Sequence, residues 1–319
     1  MHLHVLTHGR PHGHGWTMKR PPPTTTTTGM NGWKFASLNC RGLCADGRLR
    51  TLLGQATRKQ IAILMLQETN LQEKHIAQAK STASMLGYEA CIGPADRAGA
   101  GAAIFVNRKL TDLPQATLAQ SVRTHMRGRL VIVDIPRANE PPLRVAAMYV
   151  PAQPAQRHYF VHKLAESAYL EGVHVLGTDA NCVASVTLDT TAASAGDYPN
   201  VGGLALEQAL TRHDLTDLYR ELEGPESSGG YTRVGHSVAT RIDRIYVHAS
   251  LATQWKSICL DIPLLALLAF LAEAAEVPEP RATANELASS WDALTERSRA
   301  VQAWPCSAPS STQLQRRNI

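Results

Sequence analysis

IAILMLQE, residues 61–68, is the stretch of the chain that decides its fold. Six consecutive apolar residues lead into a glutamine and a glutamate. A continuous apolar run of this length is typical of a β-strand that is covered on both faces, since a half-exposed strand would alternate. The run therefore predicts a buried strand that carries Glu68 to the edge of a sheet.

Other segments predict further strands and helices around this one. The strand candidates are WKFASLN, GAAIFVNR, RLVIVDIP, LRVAAMYVP, VHVLGTD and RIDRIYVHA, and the helix candidates are residues 48–59, 73–86, 157–168 and 204–213. The two kinds of element do not alternate strictly along the chain. The order therefore favours packed sheets flanked by helices over a doubly wound parallel sheet.

Polar side chains stand where these apolar runs end. They are Asn39 after FASL, Glu68 after IAILMLQ, Tyr149 after VAAM, Asp179 and Asn181 after HVLGT, and Asp243 within TRIDRIYV. Oxygen and amide groups gathered from several strand ends are what a Mg²⁺-assisted phosphate-cleaving site requires.

The chemistry of each residue supports a role, and each has a plainer alternative. An uncompensated Glu68 charge at the end of a buried strand is costly, so a metal or another cation is expected to face it. Asp179 and Asn181 lie two residues apart and can share a face, which suits activation and orientation of a water molecule. The alternatives are a solvent-exposed glutamate for Glu68, Asx turns for Asn39 and for Asp179 with Asn181, and a wall residue for Tyr149.

Taken together, these motifs resemble the endonuclease/exonuclease/phosphatase superfamily. The resemblance rests on LNCRGL (38–43), LQET (66–69), GYEA and GAGAAIFVNR (within 87–108), MYVP (148–151), GTDANCV (177–183) and TRIDRIYV (240–247). Within the superfamily, GGLALEQALTRHDLTDLYR followed by YTR and TRIDRIYV is similar to the apurinic-like endonuclease domain of non-LTR (LINE-type) retrotransposons. The similarity covers about residues 33–255 and implies a four-layered α/β sandwich, two packed mixed β-sheets flanked by helices.

The resemblance also implies an activity, namely Mg²⁺-dependent phosphodiester hydrolysis by a DNA-nicking endonuclease, with Mn²⁺ as an alternative ion. Glu68 is implied as the principal metal ligand, with Asn39 beside it. Asp179 would activate a water that Asn181 orients, and Tyr149 would donate to the phosphate as charge develops on it.

The chain departs from the family pattern at three places. Arg41 stands where some relatives carry a second acidic residue, and one residue separates Gly177 from Asp179. In relatives, the aspartate at the position of Asp243 holds a histidine from a later Ser-Asp-His triplet. Here residues 259–270 read CLDIPLLALLAF, and no histidine follows His248, which indicates a truncated or rearranged C-terminus.

This loss leaves more than one functional hypothesis open. The first is an impaired endonuclease, because loss of a phosphate-contacting group typically lowers the rate about 10²–10³-fold. The second is an inactive retroelement remnant that at most binds nucleic acid. A phosphatase acting on lipid or inositol phosphates is a weaker third option. His213 and His236 are the nearest candidates to replace the histidine, and nothing in the sequence favours either.

The expected partner is DNA, gripped through its phosphate backbone. The net charge is +5, which is compatible with a polyanion, and Arg41, Arg127 and Arg129 are candidate phosphate contacts. A solvated turn is an equally good explanation of Arg127 and Arg129, which flank Gly128. No membrane contact and no obligate protein partner are inferred.

The chain is expected to have three parts. Residues 1–32 form a leader rich in His, Thr and Pro that predicts disorder, residues 33–262 form the endonuclease-like domain, and residues 263–319 form an atypical helical and disordered tail. The six cysteines form no metal-binding pattern, and residues 1–20 lack the apolar segment of a signal peptide. We therefore expect an intracellular, non-secreted protein, acting in the nucleus if it is an active retroelement endonuclease.

Overall fold

The structure is a computed structural model that describes residues 3–8, 33–45, 47–113, 118–192, 200–234 and 238–260. All of these residues fall within one compact unit, Met1–Leu268, while a second unit, Ala269–Ile319, lies outside the described residues. The predicted tail at residues 263–319 and most of the predicted leader therefore remain predictions.

The described residues form fourteen strands and six α-helices. The strands are β1 (Leu3–His8), β2 (Lys34–Asn39), β3 (Ile61–Gln67), β4 (Tyr88–Gly93), β5 (Ala102–Asn107), β6 (Arg123–His125), β7 (Leu130–Arg137), β8 (Glu140–Tyr149), β9 (Val175–Asp179), β10 (Leu215–Asp217), β11 (Arg233–Val234), β12 (Ala239–Thr240), β13 (Asp243–His248) and β14 (Trp255–Leu260). The helices are α1 (Arg48–Arg58), α2 (Glu73–Met85), α3 (Pro154–Ala165), α4 (Val186–Asp189), α5 (Gly203–Thr211) and α6 (Leu218–Glu223). A 3₁₀ helix, Ala249–Gln254, connects β13 to β14.

The strands assemble into two six-stranded mixed sheets and a small hairpin. The first sheet has the order β14-β1-β2-β3-β5-β4, the second has the order β10-β13-β9-β8-β7-β6, and β11 pairs with β12. Each large sheet contains one parallel pair, β2 with β3 and β8 with β9, and its other pairs are antiparallel. In a parallel pair both carboxyl ends lie at the same edge, so each sheet brings two strand ends together.

The two sheets pack face to face over a shared apolar core. Along β3, Ile63 and Met65 point into this central core, whereas Leu64 and Leu66 point to the opposite face of the first sheet. This is the two-residue alternation of a strand, here with apolar side chains on both sides. The continuous apolar run at residues 61–68 thus follows from a strand that is covered on both faces, as predicted.

Helices cover the outer face of each sheet. Leu52 and Leu53 of α1 and Ala83 of α2 pack on the first sheet, while α3 and α5 pack on the second through side chains such as Phe160 and Leu206. The order of layers is helix, sheet, sheet, helix. The predicted four-layered α/β sandwich is confirmed.

The N-terminal segment differs from its predicted disorder at residues 3–8. There β1 lies between β2 and β14 and pairs with both strands in antiparallel register. A strand inside a sheet has its backbone N–H and C=O groups bonded on both sides, which offsets the entropy lost on ordering. Residues 9–32 lie outside the described part of the chain.

The structure also bears on membrane-spanning helices and on the cysteines. No helix among the described residues is long and apolar enough to cross a membrane. The cysteines that the structure describes, Cys40, Cys44, Cys91 and Cys182, are free thiols.

Gly177 controls how closely the sheets approach each other near the strand ends. A Cβ atom added to Gly177 in β9 would lie 2.7 Å from Ser37 Oγ of β2 and 2.9 Å from Met65 Sδ of β3. Both distances are shorter than van der Waals contact. Only glycine therefore permits this approach, which sets the position of Asp179 two residues later.

We expect Gly177→Ala to lower the free energy of unfolding by about 1–3 kcal/mol, because overpacking forces the two sheets apart. Gly54→Ala is the matched control, since a Cβ atom there has no neighbour within 4 Å and the position lies inside α1. The control should raise the free energy of unfolding by about 0.5–1 kcal/mol. Urea denaturation measures both values, and equal stability of Gly177→Ala and wild type would contradict the close packing.

Candidate active site

The predicted site residues converge where the carboxyl ends of the parallel strand pairs meet. Asn39 ends β2 and lies beside Gln67, the residue before Glu68, while Tyr149 ends β8 opposite Asp179, the last residue of β9. β13 runs antiparallel to β9, so its first residue, Asp243, pairs with Asp179. The site is thus assembled from both sheets.

Asn39 joins the two sheets through its side-chain amide. Its Nδ2 donates to Glu68 Oε2 at 2.9 Å and to Asp179 Oδ2 at 2.7 Å. Its Oδ1 accepts the backbone N–H of Arg41 at 3.0 Å, which fixes the orientation of the amide. Asn39 therefore presents its nitrogen to the carboxylates and acts here as a bridge, while its predicted role as a metal ligand remains a prediction.

Asp179 is a buried carboxylate with a raised pKa. It is only 2% exposed, and burial raises its pKa from 3.8 to about 6. The hydrogen bonds from the Asn39 side chain and from the Asn181 N–H oppose this rise, whereas the charge of Glu68 adds to it. A carboxylate in this state holds its proton more tightly than an exposed aspartate, which suits a group that accepts a proton from water.

Asp243 adds a third buried carboxyl group. Burial, followed by the neighbouring charge of Asp179, raises its pKa well above the ordinary value. Thr232 fixes the strand on which it stands, because Thr232 Oγ1 accepts the N–H groups of Ile242 and Asp243 at 3.0 and 2.9 Å. The site therefore concentrates acidic groups in a largely dry environment.

This donor set fits a divalent cation. Glu68 and Asp179 place two carboxylates on one amide nitrogen, and a cation would relieve their mutual repulsion. Over the described parts of the chain, no three Asp, Glu, His or Cys side chains are grouped tightly enough to hold a metal ion alone. An open site of one or two carboxylates, completed by water and substrate phosphate, is the arrangement that Mg²⁺ commonly takes.

Several residues at the strand ends have left-handed backbone conformations. Arg41, Glu68 and Asn181 have φ values of 48°, 55° and 48°. This conformation costs a non-glycine residue roughly 1–2 kcal/mol, and such residues cluster at functional sites. These turns interrupt the extended conformation at the strand ends, so the side chains there do not follow the alternation of a straight strand.

Tyr149 forms the wall of the site next to the carboxylates. Burial raises its pKa to about 12, and the charges of Glu68 and Asp179 contribute further. The phenol consequently stays protonated at neutral pH and can donate a hydrogen bond. Asn181 supports this wall, since its Nδ2 donates to the carbonyl of Val150 at 2.8 Å.

The three arginines predicted to contact nucleic acid differ in their surroundings. Arg41 is exposed beside Asn39, and Arg127 is exposed with its guanidinium 3.8 Å from Asp96. Arg129 is buried, at 5% exposure, and its guanidinium lies over the Tyr149 ring. Arg41 and Arg127 can reach a phosphate backbone, whereas Arg129 lies too deep for surface contact, because the Gly128 turn directs it inward.

A comparison with protein families decides the classification. Residues 36–264 match the model of the Endonuclease/Exonuclease/phosphatase family. The chain belongs to this family. The match spans most of the chain and includes every residue of the candidate site, so the predicted resemblance is confirmed at the level of the superfamily.

Solved structures are similar to this chain at low sequence identity, and the first two below share its fold. An AP endonuclease from Archaeoglobus fulgidus is 17% identical, with a TM-score of 0.52 over 69% of this chain and 88% of that one. A 3′ phosphatase from Neisseria, bound to a product DNA hairpin, is 17% identical, with a TM-score of 0.53 over 76% and 93%. The endonuclease domain of TRAS1, a telomere-specific non-LTR retrotransposon, is 17% identical, with a TM-score of 0.43 over 68% and 86%. No curated protein sequence matches the chain.

Sequence analysis missed a buried ion network that supports this family site. Arg241 Nε donates to Asp189 Oδ1 at 2.8 Å, and its Nη1 and Nη2 donate to the two carboxylate oxygens of Asp217 at 3.1 and 2.6 Å. Arg244 Nη1 donates to Glu207 Oε1 at 2.9 Å. Arg241 lies two residues before Asp243 and Arg244 lies one residue after it, so the network anchors the chain on both sides of this candidate site residue.

Two sequence segments carry the residues of this network. DLTDLYR supplies Asp217, and TRIDRIYV supplies both arginines. An arginine beside apolar strand residues is seldom buried without a partner, and this segment contains two arginines. The pattern therefore indicates an acidic partner, although it does not say which one.

His213 does not replace the missing histidine of the family pattern. The N–H of Ala249 donates to the carbonyl of Asp214, so His213 lies near the end of β13 at His248. β13 separates that end from Asp243 by roughly 16 Å, at about 3.3 Å per residue. His236 lies outside the described residues.

Substitution of Asp217 tests how much the buried ion network stabilises the fold. Burial raises its pKa, but the charge and hydrogen bonds of Arg241 outweigh burial, so the pKa is lowered below 3.8. A carboxyl group whose pKa is lowered in the folded state stabilises the fold at pH values above its ordinary pKa. This stabilisation is lost as the pH falls through the lowered pKa. We expect Asp217→Asn to lower the free energy of unfolding by about 3–5 kcal/mol at pH 7, because Arg241 loses a buried partner.

The pH dependence provides the internal check. The difference in unfolding free energy between wild type and Asp217→Asn should shrink below about pH 4, where Asp217 takes up a proton in the unfolded chain. Glu226→Gln, at an exposed position, is the control and should stay within about 0.5 kcal/mol of wild type. A loss no larger than that of the control would show that the network is not stabilising.

Proposed function

We propose that the protein is a divalent-metal-dependent phosphodiesterase of the retrotransposon endonuclease type, which nicks DNA with impaired efficiency. The observation that supports this most is the bridge from Asn39 to Glu68 and Asp179, which joins the two sheets at the strand ends. Burying a charge is costly, so the stability of the fold alone does not explain why the Asp179 carboxylate is buried beside Glu68.

In this proposal Glu68 holds the cation, with Mg²⁺ preferred and Mn²⁺ as an alternative. When bound, the cation would polarise the phosphate and offset the charge that develops on the leaving oxygen. Asn39 keeps Glu68 and Asp179 at a fixed separation through its two N–H bonds. Its Oδ1 accepts the backbone N–H of Arg41, so the side-chain amide does not rotate.

Asp179 is the proposed general base for the attacking water. Its raised pKa, about 6, lies near neutral pH, where a base is most effective. The Asn181 N–H donates to Asp179 Oδ1 at 2.9 Å and fixes the carboxylate plane. The Asn181 side chain lies beside it and is proposed to orient the water.

Tyr149 is the proposed donor to a phosphate oxygen in the transition state. Its phenol stays protonated because its pKa is raised to about 12, chiefly by burial. Asp243 would hold a histidine in relatives, and this chain contains none after His248. The missing imidazole is the reason for proposing impaired activity.

The proposed substrate is duplex DNA, bound mainly through its phosphates. Arg41 is exposed two residues after Asn39, and Arg127 is exposed with its guanidinium 3.8 Å from Asp96, the neighbour of the exposed Arg97. Non-specific binding by such contacts weakens as salt rises. The salt dependence of affinity should therefore reveal them.

An inactive remnant that only binds nucleic acid is the second candidate. The absence of a histidine after His248 favours it directly. The two candidates share DNA binding and differ in whether Glu68 supports turnover, so binding and nicking must be measured on the same protein.

The test is nicking of supercoiled plasmid in Mg²⁺ by wild type, Glu68→Ala and the control Glu73→Ala. Glu73 is exposed at the start of α2, so its loss changes the net charge equally without touching the site. We expect Glu68→Ala to nick at least about 10²-fold more slowly than wild type and Glu73→Ala to match wild type.

If no nicking is observed, DNA binding is measured by fluorescence anisotropy at two salt concentrations to distinguish the two candidates. Binding without any nicking that depends on Glu68 would support the inactive remnant and exclude the endonuclease. If neither binding nor nicking is observed, both candidates fail.

A further inference from the structure

Arg129 is fixed to Tyr149 through both its main chain and its side chain. The carbonyl of Arg129 accepts the N–H of Tyr149 at 2.8 Å. The guanidinium carbon Cζ lies 5.2 Å from the centroid of the Tyr149 ring. This separation is within the range in which a cation is attracted to an aromatic face.

The turn before Arg129 forces it into this position. Met126, Arg127 and Gly128 all have left-handed backbone conformations, and a Cβ atom on Gly128 would lie 2.0 Å from the Pro94 carbonyl oxygen. Only glycine fits there, so the turn packs directly on the first sheet. Arg127 consequently points outward and Arg129 points inward.

The buried guanidinium of Arg129 lacks a counter-charge in contact with it. Within the described residues its side chain makes no hydrogen bond and no ion pair, and Nη1 is buried without a partner. Asp96, whose charge acts on Arg129, forms its ion pair with Arg127 at 3.8 Å. An unpaired buried charge costs several kcal/mol, so packing alone does not account for an arginine here.

Burial and the charge of Arg97 lower the pKa of Arg129, and the charges of Asp96, Tyr149 and Glu68 raise it. The guanidinium thus interacts electrostatically with the Tyr149 phenol and with the Glu68 carboxylate. Arginine stays protonated in this situation because its ordinary pKa is so high.

We propose that Arg129 is a positioning residue for Tyr149: its buried positive charge holds the ring in place and strengthens the phenol as a donor to the reacting phosphate. This rests on the proposed function, since it deepens the role given to Tyr149. Arg129 acts through the ring and does not touch the substrate.

The electrostatic reason lies in the surroundings of the phenol. Burial, then the charges of Glu68 and Asp179, raise the pKa of Tyr149 to about 12, and the charge of Arg129 opposes this rise. A phenol with a higher pKa is a weaker hydrogen-bond donor to an oxygen that is gaining charge. Arg129 therefore keeps Tyr149 effective beside two carboxylates, in a chain with no histidine beyond His248.

A double-mutant cycle of Arg129→Met and Tyr149→Phe tests this coupling in the nicking assay. Methionine keeps the apolar packing and removes the charge. We expect Arg129→Met to lower kcat about 10-fold or more with KM changed less than about 3-fold, and Arg129→Lys to retain part of the activity. In the Tyr149→Phe background the same change should have little further effect.

Arg144→Met is the matched control, since Arg144 also lies on the second sheet but pairs with Asp134 away from the site. It should leave kcat near the wild-type value. Equal effects of Arg129→Met with and without the Tyr149 hydroxyl would overturn the proposal.

A measurement that needs no activity separates this proposal from the proposed function. Protein labelled with fluorotyrosine gives a ¹⁹F resonance for residue 149, which is assigned by its loss in Tyr149→Phe and titrated with pH. We expect Arg129→Met to raise the pKa of that phenol by about 1, and Arg144→Met to leave it unchanged. An unchanged pKa in Arg129→Met overturns the proposal; a shifted pKa in a protein that does not nick upholds the coupling and rejects the proposed function.

Discussion

The side-chain nitrogen of Asn39 is the point on which the arrangement of the site depends. It has two hydrogens, and it donates one to Glu68 of the first sheet and one to Asp179 of the second. Without this bridge, two carboxylates at the meeting of two sheets would repel each other in a poorly solvated space. The bridge also requires the sheets to approach closely, which the absence of a side chain at Gly177 allows.

Two kinds of buried arginine surround this acidic centre. Arg241 and Arg244 are fully buried on either side of Asp243 and are paired with acidic side chains, so they stabilise the strand end. Arg129 is buried against Tyr149 and forms no ion pair within the described part of the chain, which leaves its charge available to the site. The first kind of arginine builds the framework, and the second kind is the one expected to influence chemistry.

The sequence was sufficient to predict the main strands and the convergence of the site, for a physical reason. Strands covered on both faces, such as β3, must be continuously apolar, and a polar residue at the end of such a run must lie at a sheet edge. Short edge strands such as β6 and β10 have three residues each, too few to show a period. β1 escaped prediction because its six residues lie within a leader of biased composition.

Other features could not be predicted because they depend on partner choice in space. The letters of TRIDRIYV do not reveal that Arg241 pairs with Asp189 and Asp217, which lie 52 and 24 residues away in sequence. Nor does the sequence show that Asn39 turns its nitrogen to the carboxylates. Arg127 and Arg129 look equivalent on either side of Gly128, and only the packing of that turn on Pro94 separates an exposed arginine from a buried one.

The central claim is that Glu68, held beside Asp179 by Asn39, binds one divalent cation. Mn²⁺ binding followed by electron paramagnetic resonance, with Mg²⁺ as competitor, tests it most directly in wild type, Glu68→Gln and Glu73→Gln. The account predicts one Mn²⁺ per chain, displaced by Mg²⁺, with affinity at least about 10-fold weaker in Glu68→Gln and unchanged in Glu73→Gln. Equal affinity in wild type and Glu68→Gln would contradict it.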